Sequence, residues 1–91
     1  RRTEQSTTTI ASGAGAKSIT FDSPFFTGTS ALLGANSNPP AIGITAFNMA
    51  SGDFFELSSI TGTGFTVHFK NSSGSSVDRN FNFTAIGFGK G

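Results

Sequence analysis

Catalysis requires a nucleophile, an acid, a base or a metal held in a fixed geometry. The chain has one histidine, His68, and no cysteine, so a zinc site or a Cys–His pair lacks its second member. His68 stands in Phe65-Thr66-Val67-His68-Phe69-Lys70, on the polar side of a two-residue alternation. It reads as a solvent-facing or interface side chain, not as a base or a ligand. The five carboxylates, Glu4, Asp22, Asp53, Glu56 and Asp78, are scattered. Cleavage of a glycosidic bond normally uses a facing carboxylate pair, and none is legible. Asp53 and Glu56 lie three apart beside a turn, without the acidic loop that holds calcium. Gly87-Phe88-Gly89-Lys90-Gly91 superficially resembles a phosphate loop, but no helix follows to present N–H groups to an anion. Asn71-Ser72-Ser73 matches the N-glycosylation sequon, a motif common by chance. These residues lead to the expectation of a protein that is not an enzyme and needs no cofactor or metal.

Charge and length narrow the remaining classes. Six basic and five acidic residues among 91 give a net charge of +1. Such a balance creates no field able to hold nucleic acid or an anionic membrane. Lys17, Lys70, Arg79 and Lys90 form no basic block. No apolar run approaches the roughly 20 residues of a membrane-spanning helix, so neither a nucleic-acid partner nor membrane insertion is expected. Leu, Ile, Val and Phe number 22, half of them Phe. Size scaling lets a chain of this length bury only about 63% of its unfolded surface. Without a disulfide such a domain is marginal alone, and the expectation is that it leans on copies of itself or on a parent chain.

The elements that must carry any site are strands. Gly, Ser and Thr fill 37 of 91 positions, and no sustained helical periodicity is present. Short alternating runs bounded by Gly, Ser, Asn and Pro recur, the signature of an all-β chain. Ile19 and Phe21 share a face, as do Ile42, Ile44 and Ala46. Phe55 and Leu57 oppose Phe54 and Glu56. Phe65, Val67 and Phe69 form the clearest strand, and Phe81, Phe83 and Ala85 the last. The expected fold is all-β, a small antiparallel β-sandwich of about six strands with a phenylalanine core. Residues 16–91 form that sandwich, and residues 1–15 are read as a linker or peripheral strand. In Phe25-Phe26 and Phe54-Phe55 adjacent rings point to opposite faces, so one of each pair must leave the core.

Turn chemistry joins these runs. Residues 28–40 make a long polar connection ending in Asn38-Pro39-Pro40, whose prolines enforce extended backbone. Thr61-Gly62-Thr63-Gly64 is a glycine turn. Asn71-Ser72-Ser73-Gly74-Ser75-Ser76 reads as the polar loop of a hairpin between the strands at 65–70 and 79–88. Polar loops on a rigid sandwich are where recognition residues sit. The candidates for a recognition role are therefore Asn36, Asn38, Asn71, Ser73 and Asp78.

Gly64-Phe65-Thr66-Val67-His68-Phe69-Lys70-Asn71, a polar loop, and then Phe81-Asn82-Phe83-Thr84-Ala85-Ile86-Gly87-Phe88-Gly89 resemble the end of C-terminal domains of bacteriophage tail fibres and tail-tip host-specificity proteins. The same ending is similar to H-type lectins, which are six-stranded antiparallel sandwiches. Phe83 stands where those lectins usually carry Trp. Ile19-Thr20-Phe21-Asp22-Ser23-Pro24-Phe25 is similar to the opening strand of such modules. The likeness spans roughly residues 16–91. It implies a terminal or near-terminal virion module, assembled in the host cytoplasm and extracellular after release. Its implied partners are itself, as a homotrimer, other phage tail proteins, and a bacterial surface polysaccharide or outer-membrane protein bound during host attachment. Two other readings go with it: a purely structural trimerising or adaptor module of the tail, and a secreted H-type-lectin-like carbohydrate-binding domain.

Overall fold

A computed structural model describes residues 2–25 and 39–87. Seven strands run through them: β1 (Arg2–Gln5), β2 (Ile10–Ala11), β3 (Ala16–Thr20), β4 (Ala41–Ala46), β5 (Phe54–Ser58), β6 (Gly64–Lys70) and β7 (Asn80–Gly87). No helix occurs among the described residues. All pairings are antiparallel and build two sheets. In the first, β7 is central, with β4 along one edge and β1 and β2, end to end, along the other. In the second, β6 is central between β3 and β5.

The two central strands are the most apolar segments, and they are buried by alternation. Phe65, Val67 and Phe69 of β6, and Phe81, Phe83 and Ala85 of β7, turn to the inside and are buried with Phe21 and Phe25. Phe65 meets Phe83 at 5.3 Å between ring centres, and Phe69 meets Phe81 at 5.5 Å. These contacts cross from one sheet to the other, so the sheets face each other over a phenylalanine core, the arrangement of a small β-sandwich. Phe21 adds an edge-to-face contact with Phe25 at 5.1 Å. Ile19, Ile42, Ile44 and Leu57 pack around this cluster from the outer strands. Gly64 starts β6 because a methyl group there would collide with the Ile19 carbonyl oxygen of the neighbouring strand.

The expected hairpin between the strands at 65–70 and 79–88 is corrected. Residues 71–76 do turn back locally, and Ser76 bridges to Lys70. The Val77 N–H still reaches the Phe69 carbonyl at 3.0 Å. The chain then leaves for the other sheet, because both hydrogen-bonding edges of β6 are already taken by β3 and β5. β7 therefore stacks over β6 instead of pairing beside it. Phe54 and Phe55 differ from expectation in degree: both rings stay partly in solvent, at 41% and 38% exposure. Phe55 is on the inner face, 5.6 Å from Phe69, but β5 is an edge strand and leaves it open on one side. Phe25 is buried, and its neighbour Phe26 lies outside the described residues.

Part of segment 1–15 is built into the first sheet. Arg2 pairs with Gly87 and Ile10 with Phe81. Ser12 is buried where the chain crosses between sheets, and its N–H donates to the Arg79 carbonyl at 2.9 Å.

Candidate functional site

Between β1 and β2 the edge of the first sheet is interrupted. The Ser6 N–H still donates to the Phe83 carbonyl at 3.1 Å. The return bond is made by a side chain, with the Phe83 N–H donating to Ser6 Oγ at 3.0 Å. A hydroxyl that takes over a ladder bond in this way releases the following backbone from the sheet. The chain rejoins only at Ile10. In the orientation that satisfies its amide, Asn82 donates to the Thr8 carbonyl at 3.1 Å and steadies the detour.

The detour lies opposite β3, the edge strand of the second sheet, and the space between them is a cavity of about 300 Å³. Ile10, Ile19 and Phe83 give it an apolar part, and Thr7 and Thr8 of the detour also line it. Lys17 lines it as well. The residue pairs with buried Val67, which puts it on the core-facing side of β3, where a charge is unusual. Among the described residues Lys17 has no ion-pair partner.

Two carboxylates, Glu4 and Asp22, also line the cavity, and of these Glu4 is paired. Glu4 Oε2 accepts the Asp22 N–H at 2.8 Å, and Glu4 Oε1 is 3.3 Å from Arg2 Nη1. Arg2 also lies 3.9 Å over the face of Phe25, a cation–π contact that ties β1 to the core. Asp22 is five residues beyond Lys17, past the end of β3. Neither Glu4 nor Asp22 forms an ion pair with Lys17.

Of the candidates read from the sequence, Asn36 and Asn38 lie outside the described residues. Asn71, Ser73 and Asp78 lie at the opposite crossing between sheets, not at the cavity. Asn71 Oδ1 accepts the N–H groups of Ser73 and Ser75 at 2.9 and 3.0 Å. Its carbonyl accepts the N–H of Gly74, whose φ of 82° closes the turn. Asp78 Oδ1 accepts the Gly13 N–H at 2.8 Å. Asn71 and Asp78 thus spend acceptors on their own chain, while Ser73 is exposed.

His68 Nε2 is 2.6 Å from Ser76 Oγ. Lys70 Nζ is 2.9 Å from Glu56 Oε1, which holds the Glu56 carboxyl below its ordinary value. Asp53 Oδ2 accepts the Ala50 N–H at 2.8 Å and Arg79 Nε at 2.7 Å. The Ala50 bond first, and the Arg79 guanidinium second, hold its carboxyl below the ordinary carboxylate pKa. These pairs bind strands and turns to one another. Among the described residues no group of three or more His, Cys, Asp or Glu side chains comes together that could hold a metal ion.

The cavity was not anticipated from the sequence. The signal that could have found it is Lys17, a charge in phase with Ile19 and Phe21 on the apolar side of its own alternation. Comparison of the chain with protein-family models, with curated proteins and with solved structures finds no match.

Proposed function

We propose that the chain is a non-catalytic attachment module of the bacteriophage tail-fibre kind. It assembles as a homotrimer and meets a bacterial surface polysaccharide or outer-membrane protein. One observation carries the self-assembly part. The outer face of the β1–β7–β4 sheet is formed by Thr3, Gln5, Gly43, Thr45, Asn82, Thr84 and Ile86, with no ionisable group among them. Ile86 is 39% exposed there, and Phe47, just past β4, is 55% exposed. The opposite outer face differs, carrying Glu56, His68 and Lys70. A sheet face free of charge is cheap to desolvate, and interface cores are depleted in charged residues. Sharing that face among copies would also support a domain whose own core is small.

Purely structural assembly is the second reading. It is favoured by the Asn71 and Asp78 acceptors, which are committed within the chain. Light scattering on the chain and on Ile86→Lys tests assembly. A mass of three 9.4-kDa chains that falls to one in the variant is the expected result, and a monomeric parent chain refutes it. Binding to host cells, compared with a variant shortened within 71–76, then separates the two readings. Loss of binding supports attachment, and equal or absent binding in both supports the structural role.

A further inference from the structure

We propose that the cavity between the Ser6–Thr8 detour and Lys17 binds a compact hydroxylated carboxylate. The cavity volume of about 300 Å³ is at the small end of ligand sites, which span about 300–1,000 Å³. That admits a single ring or a short polyol, not a polymer segment. The chemistry of the lining selects within that size. Thr7 and Thr8 of the detour line the cavity, and hydroxyls both donate and accept, which suits a ligand rich in hydroxyls. Ile19 and Phe83 offer an apolar part for its C–H face. Lys17 is the only cation in the lining, which also holds Glu4 and Asp22, and it has no ion-pair partner among the described residues. A carboxylate is the group that such a donor holds by a charge-assisted hydrogen bond. Glu4 cannot take that role for Lys17. It is engaged by Arg2 and by the Asp22 N–H.

An inward charge on an edge strand also has a protective use, since it discourages edge-to-edge pairing. That role alone would account for Lys17 but not for the detour. The edge strand opposite is opened over residues 6–9, and Ser6 replaces a backbone bond to hold it open. Both features converge on the same cavity. The inference does not depend on assembly, because every group named belongs to one chain.

The test is an amide chemical-shift titration of the full chain with four probes: glucuronate, gluconate, glucose and acetate. Glucuronate and gluconate distinguish a sugar-acid unit from a free open-chain acid as the source. At least one of the two is expected to saturate, with a dissociation constant on the order of 1 mM, and to move the amides of Ser6, Thr8 and Ile19. Glucose and acetate, each lacking half of the recognised chemistry, should bind at least tenfold more weakly. Lys17→Gln should abolish the preference for the acid over glucose, and Lys17→Arg should keep it. No saturable shift with either acid overturns the proposal. So does equal binding of acetate, or a Lys17→Gln chain that binds as before and differs only in a greater tendency to aggregate.

Discussion

Replacing Phe69 and Phe81 by leucine, singly and together, tests the stacking of β6 over β7. Both side chains are fully buried, and their ring centres are 5.5 Å apart across the two sheets. Each single change removes three buried carbons and leaves a small void, a loss of roughly 1–2 kcal/mol. Part of each loss is the ring–ring contact, which is worth about 0.5–1.5 kcal/mol beyond area. The double variant should therefore be less destabilised than the sum of the singles, by about that amount. Phe21 and Phe81 provide the control. Phe21 packs against Phe25, Phe65 and Phe83 instead, so the Phe21→Leu/Phe81→Leu pair should be additive within about 0.5 kcal/mol. Urea unfolding measures all of these values, and each 1 kcal/mol shifts the thermal midpoint by about 4–8 °C for a domain of this size. Additivity at Phe69/Phe81, or a Phe21/Phe81 coupling of equal size, would refute the cross-sheet packing.

Two further predictions address the edges of this core. Gly64→Ala should cost about 1–3 kcal/mol, as overpacking does, because the new methyl meets the backbone of β3 and not a movable side chain; urea unfolding checks it, and an unchanged midpoint would mean that β3 and β6 are not so close. Asp53 titrates below its ordinary value in the folded chain, through the Ala50 N–H and then Arg79. Its stabilisation is thus complete above the unfolded carboxylate value of about 3.9 and is lost as pH falls through the lower folded one. Unfolding followed from pH 6 down to pH 2 should show stability dropping below about pH 4. The drop should be shallower in Arg79→Gln but still present, because the Ala50 bond remains.

The strand segments were legible because alternation is a local property. Phe65, Val67 and Phe69, and Phe81, Phe83 and Ala85, declare their inner faces from neighbour to neighbour. The class of fold follows from that pattern and from the scarcity of helix formers. Asn71 and Gly74 likewise announce a turn, and the turn is there. What a turn residue cannot announce is where the chain goes next. Whether β7 pairs beside β6 or stacks over it depends on whether the edges of β6 are free, and those edges are occupied by β3 and β5, the former more than 40 positions away in sequence. Pairing of residues 2–5 with β7 is a contact across more than 75 positions, and no local pattern encodes it.

The candidate site follows the same division. Polar loops are recognisable by composition, but Asn71 and Asp78 turn out to hold the chain together, since a hydrogen-bonding side chain in a tight turn meets its own backbone first. Lys17, Ser6 and Phe83 come from three separate segments of the chain. Sequence alone determined which faces are apolar, because a side chain's direction along a strand is set by its immediate neighbours. Only the tertiary structure decided that two edge strands from different sheets would stand apart at Ser6–Thr8 with Lys17 turned into the gap. The position of one strand relative to another is set by the packing of the whole core.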